Sequence, residues 1–147
     1  MQERLLMGQV APQAYGKVVE LSTYAQANVD SSLLELIKLR ASMVNGCAFC
    51  VDIHSRDAVK AGENPQRLFA LSAWTESSFF TREEQAVLAL TDAVTKISEG
   101  GVPDRIWDEA RSIWSEKELA DIVMAVIMIN AFNRIAITTH QTAVLTA

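Results

Sequence analysis

Two cysteines, one histidine and one glutamate are the residues of this chain whose types and spacing could do chemistry. Cys47-Ala-Phe-Cys50 is a CxxC pair, His54 follows Cys50 by one helical turn, and Glu35 lies in the segment before. A thiolate, not a thiol, is the nucleophile and metal ligand. Placed on a helix at about 100° per residue, Cys47, Cys50 and His54 fall within an arc of roughly 60°. Asp57 lies beside them, Ala58 and Ala61 share that face and would let another helix approach closely, and Phe49, Asp52, Arg56 and Lys60 point elsewhere. Both cysteines sit in the first turn of their helix, where free amides and the helix dipole stabilise an anion. Residues three apart on a helix have Cβ atoms about 5–6 Å apart. That is wider than disulfide geometry, so closure takes a modest adjustment, most easily made at a helix start. His54 can reach the Cys50 sulfur directly or through water, and accept and return a proton near neutral pH.

Glu35 shares a polar stripe of its helix with Lys38 and Ser42, opposite the leucines, Ile37 and Val44. If the stripe faces the cysteine helix, Glu35 can orient or protonate His54; if it faces water, Glu35 merely pairs with Lys38. Arg40 falls amid the apolar arc and predicts a structural ion pair with a partner the sequence does not name. The bland reading of the cysteines is two small buried apolar residues. A zinc site from Cys47, Cys50 and His54, with Glu35 as fourth ligand, is weaker, because no second CxxC or clustered histidine supports it. A thioredoxin-like fold would need βαβ units, which are missing. His140 has no acidic or thiol neighbour and reads as a partly exposed histidine. Trp74, Trp107 and Trp114 read as core or interface packing, and Met124 and Met128, four apart, as core.

Helices must position these residues. Helix-spaced Tyr15, Val18, Val19 and Tyr24 predict a helix over residues 13–28; Asp30, Ser31 or Ser32 caps the next, which stops at Asn45-Gly46. A third starts near Cys47 and ends at Gly62, and Asn64-Pro65 opens a short one over 65–72. Thr81 and Glu84 match a capping box opening residues 82–98, before Gly100-Gly101. Pro103 opens another helix to about Trp114; Ser115 and Glu118 form a second capping box and start a long apolar helix to about residue 140. With no β-alternating segment and no repeat, these seven helices predict an all-α, compact helical bundle with short loops, and the length of 147 residues fits one domain, 1–147.

The bulk numbers set the context. A net charge of −5 argues against a nucleic-acid partner. Glu3 and Arg4 interrupt the start of the chain, and no apolar stretch of signal-peptide length follows, so a cytoplasmic location is expected, where a cysteine pair is more often catalytic or metal-binding than a staple. The longest apolar run, Leu119 to Ile137, is broken by Asp121, Asn130, Asn133 and Arg134, and its uninterrupted part, Ile122 to Ile129, is far below the roughly 18 residues of a membrane span. No membrane partner is expected. The run is apolar nearly all round and must be buried on every side, more than a small domain accommodates, so a homo-oligomer is predicted.

The pattern Glu35, Leu39-Arg40-Ala41-Ser42, Asn45-Gly46-Cys47, Cys50 and His54 resembles the alkylhydroperoxidase D and carboxymuconolactone decarboxylase family. Trp74, Phe80-Thr81-Arg82-Glu83-Glu84 and Asn130-Ala131-Phe132-Asn133-Arg134 are also similar to its small single-domain members, so the likeness runs from about residue 30 to 135. The resemblance implies an all-α fold assembled into trimers or hexamers, no cofactor, a hydroperoxide substrate and a dithiol reductant. It implies that Cys50 attacks peroxide to become a sulfenic acid, that Cys47 resolves it to a disulfide, and that Glu35 and His54 relay protons. Alkylhydroperoxidase D itself carries a second histidine just before the second cysteine, where this chain has Phe49. That difference motivates the alternative of a non-enzymatic thiol redox sensor or oligomeric scaffold. Lactone decarboxylation is the lesser alternative, because that branch generally lacks the cysteine pair.

Overall fold

The computed structural model describes residues 2–145. In chain order its α-helices are α1 (Met7–Val10), α2 (Pro12–Asn28), α3 (Ser31–Asn45), α4 (Ala48–Lys60), α5 (Pro65–Ala70), α6 (Arg82–Thr95), α7 (Asp104–Ile113) and α8 (Glu116–Thr139), with 3-10 segments at Leu71–Glu76 and Ile97–Glu99 and no strand among the described residues. The all-α expectation is met, and the start signals lie where the capping chemistry puts them. Of the three candidates before α3, Asp30 is the cap, accepting from the Ser32 and Leu33 amides. Both capping boxes form, Thr81 with Glu84 and Ser115 with Glu118.

Helix α3 is the hub, packed against α4, α6 and α8. Leu34, Ile37 and Ala41 face the main core, which α2, α6, α7 and α8 complete. Leu36 and Leu39 face a second cluster with Ala58, Leu68, Leu71 and Leu88. Burying each such leucine or isoleucine is worth about 1.5–3 kcal/mol relative to exposure, so α3 is held from two sides at once. It ends at Gly46, which takes the left-handed conformation (φ 69°) that a glycine adopts without strain. The Cys47 amide then bonds back to the Ser42 carbonyl at 2.9 Å, a Schellman-type stop that fixes where the cysteine segment begins.

Three details differ from the sequence expectations. The single turn α1 gives no periodic signal; it is tied down by the Arg4 amide on the Thr139 carbonyl and by Tyr15 packing over Gly8. The short helix after Pro65 tightens to 3-10 geometry from Leu71, kinking at Ala73, where the Leu71 and Ser72 carbonyls turn to Arg40. Most consequential is α8. It is the one described helix long and apolar enough to cross a membrane, and half of that stretch is buried in the fold. It is not covered on every side, however: Met124, expected in the core, is 37% exposed and Ile127 and Ile137 are each 44% exposed. An apolar groove of about 590 Å³ lies beside it, lined by Leu90, Val94, Trp107, Val123, Ile127 and Ala131.

Candidate functional site

The end of α3 and the start of α4 bring the cysteines together. Cys47 is the N-cap of α4 rather than a residue within its first turn, and its sulfur accepts from the Cys50 amide at 3.4 Å. Cys47 and Cys50 form a disulfide across a Cα separation of 5.4 Å. Both are buried, 1% and 4% exposed, against Ala136 of α8. Phe49, expected to point away, packs against the same cluster, because α8 passes close enough to the start of α4 to cover it. Farther along α4, Asp52 pairs with Arg56 at the surface, Asp57 is exposed and Ala58 is buried against α3, the close approach its size predicted.

Glu35 faces the cysteine helix and pairs with Lys38 as well. One carboxylate oxygen accepts from Lys38 Nζ at 2.8 Å; the other faces His54 Nδ1 at 3.6 Å. The stripe faces inward, with Lys38 and Ser42 buried. The Glu35 and His54 atoms that face each other are buried with no other partner. Their separation is just beyond a hydrogen bond and within ion-pair range. Burial pushes the Glu35 carboxyl up, but the pull of His54 and then of Lys38 is greater, and the group sits below the ordinary glutamate value. The carboxylate is therefore held charged between a fixed cation and an imidazole that can carry a proton. Among the described residues, no group of three or more His, Cys, Asp or Glu side chains is arranged to hold a metal ion.

Arg40 finds its partner in α6. Its guanidinium grips Asp92 through Nε at 2.6 Å and Nη2 at 2.9 Å, and the Trp74 indole donates to the same carboxylate at 3.0 Å. Trp74 is thereby part of a structural ion pair. Trp114 packs on the main core and Trp107 lines the open groove. His140 is the left-handed C-cap of α8.

A second polar cluster was not read as a unit from the sequence. Asn45 Nδ2 donates at 2.9 Å to the Oδ1 atoms of both Asn130 and Asn133. Asn133 donates on to Ser42, and Asn130 to Thr95. The signal was available: Asn130 and Asn133 break the apolar run of α8 three residues apart, which puts both on one face.

Residues 11–93 match the Carboxymuconolactone decarboxylase family. The chain is also 38% identical over 138 residues, 93% of its length and 94% of the relative's, to "Uncharacterized protein YdfG" of Bacillus subtilis (strain 168). This all-α protein with a buried CxxC disulfide belongs to the carboxymuconolactone decarboxylase family. Among solved structures it is similar to a protein of unknown function, ATU0492, from Agrobacterium tumefaciens, whose name proposes antioxidant defence of the AhpD type. The TM-score is 0.95 at 37% identity, covering 99% of this chain and 100% of that one. It also shares its fold with the debrominase Bmp8, at TM-score 0.83 and 21% identity, covering 94% of this chain and 74% of that one. The fold thus hosts more than one chemistry.

Proposed function

We propose that the protein is a thiol-dependent hydroperoxide reductase working through a dithiol–disulfide cycle. The observation that carries this reading is the Glu35 carboxylate facing His54 at 3.6 Å, one turn beyond a cysteine pair at the start of α4. Cys50, as its thiolate, attacks one oxygen of the hydroperoxide; the O–O bond breaks, the alcohol departs with a proton supplied by His54, and Cys50 becomes a sulfenic acid. The Cys47 sulfur then attacks the Cys50 sulfur, forming the disulfide and releasing water. A dithiol reductant restores both thiols by exchange and is itself oxidised to a disulfide. Glu35 orients His54 and balances the proton it carries, with Lys38 keeping Glu35 charged. The assignment of attack to Cys50 and resolution to Cys47 rests on the family resemblance. Such a cycle suits the reducing cytoplasm. The exposed apolar side of α8, with Met124, Ile127 and Ile137, supports assembly into a homo-oligomer, a trimer or hexamer, of single-domain chains.

The test is a thiol titration with stoichiometric hydroperoxide, then turnover with a dithiol supplied. Free thiols fall from two per chain to none, a sulfenic acid is trapped at Cys50 when Cys47 is changed to serine, and consumption continues while dithiol lasts. If Cys50→Ser consumes peroxide as fast as the wild type, the assignment of Cys50 fails. Phe49 packed on the cysteines favours a second reading, a redox sensor: a protein that oxidises once and then stops, dithiol present, is that sensor.

A further inference from the structure

The asparagine cluster at the end of α3 has no role in the cycle above, yet it concentrates buried polar groups where the cysteine segment departs. Asn133 and Ser42 are fully buried, and Asn130 and Thr95 nearly so. Its contacts run within the cluster, to the backbone and to Arg134. The Ser42 hydroxyl accepts from Asn133 and donates to the Lys38 carbonyl at 2.6 Å; Asn130 Nδ2 also donates to the Val126 carbonyl; and Asn130 Oδ1 accepts from Arg134 as well as from Asn45. No buried side-chain N or O atom of the cluster is left without a partner, and a network satisfied in this way specifies geometry.

What it specifies is the place of Cys47. Asn45, whose side chain is gripped by two residues of α8, is separated from Cys47 by Gly46 alone, and the Cys47 amide bonds to the backbone of Ser42, which Asn133 grips through its hydroxyl. Ala136, three residues beyond Asn133 on the same face of α8, packs against the two cysteines. One stripe of α8 therefore holds the stem of the cysteine segment and roofs the disulfide. Cys50 is fixed independently by α4. We propose that Asn45, clamped by Asn130 and Asn133, is a positioning residue that holds Cys47 at the separation from Cys50 needed to close and reopen the disulfide. The proposal rests on the dithiol–disulfide reading and names what sets the poise of that pair.

Reduction of the pair moves two electrons and two protons from an external dithiol, which leaves as its own disulfide. The equilibrium constant for that exchange depends on the effective concentration of one protein sulfur at the other. Releasing the backbone of about one residue from a single conformation is worth roughly tenfold in such a constant. Asn45→Ala should therefore make the protein disulfide about tenfold easier to reduce, or about 30 mV more oxidising for a two-electron couple. Asn45→Asp, which keeps the shape and loses both donated bonds, should move it the same way.

The experiment equilibrates the full chain in mixtures of reduced and oxidised dithiothreitol, traps free thiols by alkylation and counts them by mass. Arg40→Met is the control: it removes a partly buried ion-pair network whose contacts include neither Asn45 nor the cysteines, so it lowers the thermal midpoint and leaves the redox midpoint in place. A shift in both asparagine variants and none in the control supports the proposal. A shift under about twofold in the asparagine variants, or an equal shift in the control, overturns it. Should Asn45→Ala not fold, Asn133→Ser, which keeps a polar side chain too short to span the cluster, is read by the same criterion. If the wild-type disulfide cannot be reduced and re-formed at all, it is the dithiol–disulfide reading that fails; if the wild type titrates normally and the variants match it, only the clamp fails.

Discussion

Replacing Arg40 by methionine should cost about 3–4 kcal/mol of stability, because it strips a mostly buried carboxylate of its cation. The Arg40 side chain is 13% exposed and that of Asp92 24%. The substitution removes two charged hydrogen bonds to Asp92 and two donated to the Leu71 and Ser72 carbonyls, and leaves Asp92 with the Trp74 indole. Removing one partner of a buried pair costs about 3–5 kcal/mol. The opening of Asp92 to water puts this case toward the lower end, and the two carbonyls, one on a solvent-facing residue, add little. For a chain of this size each kcal/mol moves the thermal midpoint by about 2–4 °C, which gives a fall of roughly 6–16 °C. Urea unfolding followed by far-UV circular dichroism gives the free energy directly, at an m-value that should not change. Adding Asp92→Leu to Arg40→Met removes the stranded charge and should recover a large part of the loss. A cost for Arg40→Met below about 1 kcal/mol, the size of a solvent-screened surface pair, would refute the view that this pair fixes α3 to α6.

Glu35→Gln tests the electrostatics of the site. A carboxyl held below its ordinary value of 4.5 contributes stability above that value and loses it as the pH falls through the folded value. The stability difference between wild type and variant, from urea titrations at several pH values, should shrink as the pH falls below 4.5; a difference that stays constant into acid contradicts a charged Glu35. Gly46→Ala should cost about 1–2 kcal/mol in the same measurement, all of it from the left-handed backbone, since nothing lies within 4 Å of the added methyl. An unchanged stability would mean that the end of α3 relaxes out of that conformation, and with it the placement of Cys47.

The helices were legible in the sequence because their ends are written in short-range chemistry. Asp30, Thr81 with Glu84, and Ser115 with Glu118 each satisfy amides within three residues of themselves, so no tertiary information is needed to find them. The closeness of Cys47 and Cys50 was legible for the same reason, three residues apart at a helix start. What was not legible is decided between helices. Whether Glu35 faces His54 or water depends on how α3 turns against α4; the identity of Asp92 as the partner of Arg40 depends on a contact far apart in sequence. Phe49 was misplaced for a related reason: a residue near a helix start is covered or exposed by whatever crosses it, here α8. The apolar circumference of α8 was correctly seen, but periodicity cannot say which sectors the rest of the chain leaves open, and Met124 lies in one of them.

The position of Cys47 just outside α4 has a consequence of its own. The helical ladder of α4 starts with the Val51 amide on the Cys47 carbonyl at 2.9 Å, so one end of the reducible bond sits on the threshold of the ladder and the other, at Cys50, in its first turn. Making or cutting that bond rewrites a link between side chains and requires no backbone hydrogen bond of α4 to break. The reduced protein is therefore expected to keep the far-UV circular dichroism of the oxidised one. If the pair cycles as proposed, no turn waits for a helix to melt and reform, and a count of free thiols separates the two states where far-UV circular dichroism does not.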